Sequence, residues 1–318
     1  MYEIIVTDGH TANPGDLSWK ALEDLGNVTI YDATAPDEVI DRCKNAHVII
    51  TNKVKITGDM MAQLPELKLI SVMATGYDII DIPGAKKHKI TVCNAAAYST
   101  HSVAQQVFAY LLYFTNQINA HNSSVQQGGW TNADHFAYFL NPIEELREKT
   151  LGIFGLGKIG QQVAKIGLAF SMNVIAYRQN FSKGSPDGVQ LVDSKTIFSE
   201  SDFLTLHAPL NEDSRQVINK DSLAFLKSTA YLVNTARGGL IDEFALRNAL
   251  VEKRFAGAAI DVLSTEPPSA DNPLIGLDNC IITPHNAWMS VTARKKLMSI
   301  TVENIRRYAA GKPQNIVV

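Results

Sequence analysis

Short apolar runs alternate along the chain with segments whose apolar residues recur every three to four positions. Alternation of this kind is typical of βαβ units, in which helices connect parallel strands. In the first third of the chain, helices are predicted over 16–25 and 37–44. The strands predicted there are Glu3–Thr7, Val28–Tyr31, Val48–Thr51, Leu69–Met73 and Thr91–Cys93. These elements predict one small α/β domain.

A second series of the same kind begins at Thr150, after a long apolar helix that starts near Ser99 and an irregular, aromatic-rich arm over 126–148. The pattern of the last segment, Val291–Tyr308, is that of a single helix, which could pack on either domain. The strands predicted in the second series are Leu151–Phe154, Asn173–Tyr177, Phe203–Leu206, Ala230–Asn234, Gly257–Asp261 and Cys280–Thr283. Two α/β domains are the natural division of 318 residues.

Composition and charge exclude several classes of function. The formal net charge is −3, whereas a nucleic-acid-binding protein is expected to be strongly basic. No apolar run reaches the ~18 residues that a membrane span needs, and no basic segment with an apolar run precedes the first strand. The three cysteines are far apart in the sequence, which predicts neither disulfides nor a metal site. We therefore expect a cytoplasmic protein without metal, nucleic-acid or membrane partners.

A glycine-rich loop, Gly155-Leu156-Gly157-Lys158-Ile159-Gly160, stands between the predicted strand Leu151–Phe154 and a predicted helix over 159–170. The pattern G-x-G-x-x-G is weak alone, but a strand before it and a helix after it are the context of a dinucleotide site. The first glycine permits a tight turn, the second lets a pyrophosphate approach the backbone, and the third allows close packing of helix on strand. The start of the helix favours negative charge.

The residue that follows the next strand bears on the choice of cofactor. An NAD site is expected to carry a carboxylate there, about 20 residues after the loop, to accept hydrogen bonds from the ribose. This chain has Arg178, followed by Ser182 and Lys183. Because arginine can pair with a 2′-phosphate, we expect NADP to be favoured. The alternative is a solvated arginine, with NAD held by other contacts.

Polar residues follow the predicted strands where ligands bind to open parallel sheets, at the carboxyl ends. Arg237, Asp261 and His285 occupy such positions in the second series. Lys53 and the segment Thr75–Asp78 do so in the first. Two such edges that face one another would form a cleft, although a solvated surface lysine is an equally good interpretation of Lys53.

The residue types at these strand ends suit the reduction of a keto acid. The planar fork of Arg237 can hold a carboxylate, and His285 can donate a proton near neutral pH. Glu266 can hydrogen-bond the imidazole and favour its protonated form. His207, with Ala208 and Pro209, also lies at a strand end, where we expect it to line the cofactor pocket.

The ordered motifs resemble those of the D-isomer-specific 2-hydroxyacid dehydrogenases over essentially the whole chain. The similar segments are Ala74–Asp78, Gly155–Gly160, Asn234–Gly239, Asp261–Pro267 and Thr283–Trp288. Within the family, Thr51-Asn52-Lys53 together with Ala74-Thr75-Gly76-Tyr77 is most similar to glycerate dehydrogenase, also called hydroxypyruvate reductase. The resemblance implies two Rossmann-like domains with the active site in the cleft between them. The flavodoxin-like substrate domain would comprise 1–98 with 289–318, and the dinucleotide domain 99–288.

The resemblance also implies roles for individual residues. Arg237 would bind the substrate carboxylate, His285 would donate the proton, and Glu266 would orient and charge His285. Asp261 would face the nicotinamide carboxamide. Substrate contacts are expected at Lys53, Ala74, Thr75, Gly76 and Tyr77, and further cofactor contacts at Val103, Thr235 and Ala236. Members of this family are commonly homodimers, so we expect a homodimer here.

Two other functions fit parts of the pattern. Formate dehydrogenase is a sister enzyme, but formate oxidation needs no proton on oxygen, and its site would tend to carry an amide where Glu266 stands. A nicotinamide-sensing corepressor of similar fold would need a peptide-binding surface or tail, and no disordered extension is predicted. Reduction of a small 2-keto acid, with hydroxypyruvate or glyoxylate favoured, is therefore the function that we expect.

Overall fold

The computed structural model of the protein describes all 318 residues. The chain divides into two compact units, the first formed by Met1–Ser99 with Met289–Val318 and the second by Thr100–Trp288. Each unit is built on one sheet whose named strands are all parallel. The prediction of two parallel-sheet α/β domains is thereby confirmed.

The first unit has a five-stranded sheet in the order β2-β1-β3-β4-β5, which is the flavodoxin-like order. Its strands are β1 (Tyr2–Val6), β2 (Gly26–Ile30), β3 (Val48–Thr51), β4 (Leu69–Val72) and β5 (Thr91–Cys93). Its helices are α1 (Gly9–Ala12), α2 (Lys20–Glu23), α3 (Val39–Cys43), α4 (Gly58–Ala62), α5 (Ile82–Lys87) and the C-terminal helix (Val291–Ala309). β3 and β4 are buried on both faces, as their continuous apolar runs predict.

The predicted helix over 16–25 is wrong for its first half, because only Lys20–Glu23 is helical. The Asn13 side chain folds the preceding segment into a turn, accepting hydrogen bonds from the amides of Gly15 and Leu17. The Asp16 carboxylate is held by the Arg294 guanidinium at 2.6 Å through each oxygen. Asparagine and aspartate side chains that bond in this way compete with helix formation.

The end of the chain completes the first unit. The C-terminal helix begins after Ser290, whose hydroxyl accepts a hydrogen bond from the Ala293 amide as an N-cap. Beyond that helix, the Val92 amide donates to the Val318 carbonyl (2.7 Å) and the Val317 amide donates to Val92 (2.8 Å). The terminal residues therefore cover the free edge of β5, a contact that the sequence pattern did not predict.

The second unit has a seven-stranded sheet in the order β12-β11-β10-β9-β6-β7-β8. Its strands are β6 (Thr150–Phe154), β7 (Asn173–Tyr177), β8 (Val189–Leu191), β9 (Phe203–Leu206), β10 (Tyr231–Asn234), β11 (Gly257–Ile260) and β12 (Cys280–Ile282). Its helices are α6 (Thr100–Asn116), α7 (Ile118–Gln126), α8 (Lys158–Ala169), α9 (Ser194–Glu200), α10 (Lys220–Leu223) and α11 (Glu243–Val251), with single 3₁₀ turns at Phe181–Lys183 and Gly238–Leu240. The chain reverses its direction of travel across the sheet between β6 and β9, where doubly wound sheets bind their ligands.

Apolar layers cover both faces of this second sheet. Leu151 and Ile153 of β6 belong to one buried cluster and Phe154 belongs to another, as expected when successive side chains point to opposite faces. The arm that follows α7 has no regular helix or strand up to β6, and it exposes Phe136 and Phe139. No helix of the protein combines the length and the hydropathy that crossing a membrane requires.

Candidate active site

The glycine loop joins β6 to α8 at the reversal point of the second sheet. Gly155 has φ +106°, and a Cβ there would lie 2.5 Å from the Ala208 amide nitrogen. A Cβ on Gly160 would lie 2.2 Å from the Gly155 carbonyl oxygen, so α8 packs directly on the turn. A Cβ on Gly157 would meet nothing within 4 Å, which leaves open space beside the start of the helix. This geometry fits a pyrophosphate at Gly157.

Two buried polar atoms near the ends of β9 and β10 have no hydrogen-bond partner in the protein: Nε2 of His207 and Oγ1 of Thr235. Buried polar atoms are nearly always satisfied, so such a pair indicates a missing polar ligand. Burial lowers the pKa of His207 to about 3, so its ring is neutral at working pH. A neutral ring suits the predicted role of lining a cofactor pocket and does not suit a general acid. The residues present therefore fit a nicotinamide dinucleotide.

The other predicted cofactor residues lie in the same unit. Leu156 is buried, Lys158 and Ile159 form the first turn of α8, and Val103 is buried on α6. The Pro209 carbonyl accepts a hydrogen bond from the Ser214 hydroxyl. The Ala236 amide donates to the Asn234 side chain at 3.0 Å, which holds the turn after β10.

Arg178 stands directly after β7, where the second βα unit of the dinucleotide fold begins. Its Nη1 donates to the Gly184 carbonyl at 2.8 Å, which closes the loop 178–184. The Asn180 side chain caps the following 3₁₀ turn by accepting from the Ser182 amide at 3.0 Å. No carboxylate follows Tyr177 in this loop, so the loop offers cationic and neutral groups to a ligand.

The three candidate catalytic residues follow three neighbouring strands, β10, β11 and β12. Arg237 precedes Gly238, and a Cβ on Gly238 would lie 2.0 Å from the carbonyl carbon of Leu263. The backbone of the turn that contains Arg237 and Gly238 therefore packs closely against the segment after β11. The Leu263 amide in turn donates to Oε1 of Glu266 at 3.0 Å. One Arg237 donor, Nη1, is already used on the Ala236 carbonyl at 2.8 Å.

His285 and Glu266 form a close pair, with Nδ1 of the imidazole 2.6 Å from Oε2 of the carboxylate. Both side chains are partly exposed, at 24% and 33%. Because a carboxylate only accepts, Nδ1 carries the proton of this bond, and Nε2 is the ring nitrogen that the bond does not use. The contact between the two side chains is the one that the sequence predicts for this pair.

The segment Thr283–Ala287, here called the His285 loop, holds its histidine in an uncommon conformation. His285 has φ +51°, in the left-handed region that costs a non-glycine residue of order 1–3 kcal/mol. The His285 amide donates to the Asp261 carbonyl at 2.8 Å. The Asp261 carboxylate accepts from the amides of Asn286 (2.9 Å) and Ala287 (3.1 Å). The loop is therefore clamped on both sides of the histidine.

In the first unit, the predicted substrate residues follow β3 and β4. The Asp8 carboxylate, at the end of β1, accepts from the Asn52 amide at 2.9 Å and the Lys53 amide at 2.6 Å. Asn52 also donates from its side chain to the Met73 carbonyl. Asp8 thus fixes the turn that carries Lys53. Asp8 was not among the residues predicted from the sequence, although its position after β1 follows the same strand-end rule.

The segment after β4 is held by its own side chains and by β5. The Ala95 amide donates to the Ala74 carbonyl at 3.0 Å, and the Thr75 hydroxyl donates to the Ala95 carbonyl at 3.1 Å. Tyr77 is 39% exposed. The backbone N–H groups of Thr75, Gly76 and Tyr77 donate to no backbone carbonyl of the protein. Successive amides of this kind can bind anions, as a carboxylate cradle requires.

Comparison with known proteins shows which family this chain resembles. Residues 108–287 match the family model described as D-isomer specific 2-hydroxyacid dehydrogenase, NAD binding domain. The hydroxypyruvate reductase of Blautia hydrogenotrophica is 38% identical over 319 aligned positions, covering 99% of each chain. The glycerate dehydrogenase of Methylorubrum extorquens is 41% identical and covers 90% of each chain.

A solved structure gives the same result for the fold. An acyclic imino acid reductase, Bsp5, in complex with NADPH and D-Arg superimposes with a TM-score of 0.87. The two sequences are 35% identical, and the match covers 99% of this chain and 100% of that one. The likeness extends over both compact units.

Proposed function

The chain belongs to the D-isomer-specific 2-hydroxyacid dehydrogenase family, and from that premise we propose that it reduces hydroxypyruvate or glyoxylate with NADPH to the D-2-hydroxy acid. The family assignment that the sequence motifs predicted is confirmed. The protein is thus a nicotinamide-dependent oxidoreductase that acts on the 2-keto or 2-hydroxy group of a small acid. The preferred keto acid and the choice of NADPH are the parts that we propose.

The observation that carries the proposal is the 2.6 Å contact between His285 and Glu266 beside the turn of Arg237. Reduction of a keto acid leaves negative charge on the former carbonyl oxygen, and that oxygen needs a proton. We assign the donor to Nε2 of His285, with Glu266 holding the charged ring. Formate oxidation puts no proton on oxygen, so a formate dehydrogenase would have no use for such a proton donor.

Arg237 is the proposed anchor of the substrate carboxylate in the second unit, and its guanidinium also polarises the keto group. Lys53, Ala74 and the amides of Thr75, Gly76 and Tyr77 are the proposed substrate contacts of the first unit. The location of the active site in a cleft stays a prediction. When it is bound, the nicotinamide cofactor supplies the hydride that reduces the carbonyl carbon.

The names of the relatives support the choice of substrate. Hydroxypyruvate reductase and glycerate dehydrogenase act on the same keto–hydroxy pair in opposite directions, and both relatives align over nine-tenths or more of this chain. Hydroxypyruvate carries a hydroxyl that pyruvate lacks. A polar neighbour such as Lys53 is the predicted partner of that hydroxyl.

The test of the proposed function is a steady-state assay of purified protein with hydroxypyruvate, glyoxylate and pyruvate, each with NADPH and with NADH. We expect hydroxypyruvate or glyoxylate with NADPH to give the highest kcat/KM. Turnover with NADH alone would retain the reaction and reject the cofactor choice. Absence of turnover with all three acids would reject the proposed substrates.

The proposed preference for NADPH depends on Arg178. An Arg178→Asp variant exchanges a cation that can pair with the 2′-phosphate for a carboxylate that repels it and accepts from ribose hydroxyls. We expect the ratio of kcat/KM for NADPH over NADH to fall by about 10²-fold or more, the scale of one lost charge-assisted contact plus repulsion. Arg254→Asp, which makes the same charge change on a surface arginine paired with Glu252, is the control. An unchanged ratio in Arg178→Asp would remove the 2′-phosphate argument.

The proposal includes a homodimer. The arm after α7 exposes large apolar side chains, with Phe136 at 93% and Phe139 at 71% of their full accessibility. Large exposed apolar side chains close together in the sequence are expected at association sites. Sedimentation velocity should give a mass near twice 34.8 kDa, and Phe136→Ser with Phe139→Ser should shift it towards the monomer. A monomeric wild-type protein at micromolar concentration would contradict the dimer.

A further inference from the structure

The carboxylate of Asp261 makes more hydrogen bonds than a cofactor contact alone would need. Asp261 is 2% exposed, and its two oxygens accept from the Thr283 hydroxyl (2.6 Å), the Asn286 amide (2.9 Å) and the Ala287 amide (3.1 Å). All three donors belong to the His285 loop. A buried carboxylate that accepts three hydrogen bonds is held in one orientation.

Thr283 links this carboxylate to helix α6. The phenol oxygen of Tyr110 lies 2.5 Å from Oγ1 of Thr283. Since the Asp261 carboxylate can only accept, the Thr283 hydroxyl must give its single proton to Asp261. Tyr110 is therefore the donor to Thr283. The two hydrogen bonds run from Tyr110 to Thr283 and from Thr283 to Asp261.

Two further observations agree with this direction. Burial raises the pKa of the Tyr110 phenol, so the hydroxyl keeps the proton that it donates. Helix α6 also holds the other end of the His285 loop, because the Ser102 hydroxyl donates to the Ala287 carbonyl at 2.7 Å. One helix thus contacts the loop on both sides of His285.

We propose that Tyr110 and Thr283 are positioning residues of the reductase site, which hold the His285 loop in its working geometry through the carboxylate of Asp261. The left-handed backbone of His285 needs such support, because the conformation is unfavourable without it. The imidazole must keep its 2.6 Å contact with Glu266 while Nε2 is presented to the substrate. Misplacement of a catalytic group by about 1 Å can cost about 10²-fold in rate.

The first test is kinetic, and it rests on the proposed function for its readout. Thr283→Val keeps the shape of the side chain and removes both hydrogen bonds, so we expect kcat to fall by about 10–100-fold. The KM of the keto acid should stay within about threefold, because Arg237 and the backbone amides that bind the carboxylate are unchanged. Thr283→Ser keeps the hydroxyl and should recover kcat to within about threefold of the wild type.

Tyr110→Phe keeps the ring in the core and removes only the outer donor, so a smaller fall in kcat of about 3–10-fold is expected. The matched controls are Tyr113→Phe on the exposed side of the same helix and Thr115→Val, which removes one hydroxyl that bonds within that helix. Each control should retain kcat within about twofold. Equal losses in Thr283→Val and Thr283→Ser, or no loss in Thr283→Val, would overturn the proposal.

A second measurement does not depend on turnover. The Cε1–H resonance of His285, identified by its absence in His285→Asn, should shift or broaden in Thr283→Val and return to its wild-type position in Thr283→Ser. It should not move in Thr115→Val. If the wild-type protein reduced none of the tested keto acids, this resonance would still decide whether Thr283 orients His285. An unmoved resonance in correctly folded Thr283→Val would reject the positioning role.

Discussion

Replacement of His285 by asparagine is expected to lower kcat for keto-acid reduction by about 10²–10⁴-fold, the range associated with loss of a general acid. Asparagine adopts left-handed backbone conformations more readily than most residues, so the φ of +51° at this position is tolerated. The variant therefore removes the proton donor with little change in the loop. Glu266 loses its partner at 2.6 Å but remains partly exposed to water.

The measurement for this prediction is the single-turnover rate of NADPH oxidation, together with the dissociation constant of NADPH. The dissociation constant should change by less than about threefold, because the glycine loop and His207 are unaltered. His88→Asn, at the end of α5 in the first unit, is the matched control and should behave as wild type. If His285→Asn retained a tenth or more of the wild-type rate, another group would have to supply the proton.

The sequence predicted the sheets well because their central strands are almost wholly apolar. Val48–Thr51 and Phe203–Leu206 were placed without error, since a continuous apolar run bounded by polar residues has few other interpretations. Val189–Leu191 was missed, because its Val-Gln-Leu sequence has a polar residue at the centre and no continuous apolar run. α7 was also missed, because it has no buried residue and so no apolar stripe.

The candidate site divides in the same way into predictable and unpredictable parts. Arg237, Asp261 and His285 could be found because ligands bind at the carboxyl ends of parallel strands, a rule that needs only the strand positions. The glycine loop could be found because its pattern places glycines where a side chain would clash with the backbone. The structure shows such close approaches at Gly155 and Gly160. These inferences use local sequence and fold class alone.

Contacts between distant parts of the chain could be predicted only where the residue types suggested a chemical role. The pairing of Glu266 with His285 was expected in this way, although its 2.6 Å geometry depends on how two loops fold after neighbouring strands. Tyr110 is separated from Thr283 by 173 residues, and on a helix of apolar character it looks like an ordinary core residue. For that pair the sequence supplied only the chemical types, and the structure supplied the contact.

In each unit, a buried carboxylate orders a loop at the carboxyl ends of the strands by accepting hydrogen bonds from backbone amides. These carboxylates belong to Asp8 and Asp261. Asp8 holds the amides of Asn52 and Lys53, and Asp261 holds those of Asn286 and Ala287. A carboxylate can satisfy several amides of one irregular loop, which a hydrophobic side chain cannot do. The loops that carry the candidate functional residues are therefore ordered by charge-assisted hydrogen bonds as well as by packing.

The second large effect is expected at Arg237. Arg237→Lys keeps the positive charge but removes the planar fork, which can grip a carboxylate with two parallel bonds. The wild-type side chain already donates from Nη1 to the Ala236 carbonyl, and this bond fixes the orientation of the guanidinium. A lysine ammonium is a point donor, so it cannot make that anchor and a bidentate contact together. We expect kcat/KM for the keto acid to fall by about 10²–10³-fold.

The loss should divide between the two kinetic constants. Because the arginine is proposed both to bind the carboxylate and to polarise the keto group, KM should rise and kcat should fall in the same variant. Arg254→Lys, a surface arginine that pairs with Glu252 at 2.7 Å, is the control and should change neither constant. A rise in KM alone would limit Arg237 to binding the substrate. Unchanged kinetics would mean that the carboxylate anchor lies elsewhere, with the backbone amides of Thr75, Gly76 and Tyr77 the first group to examine.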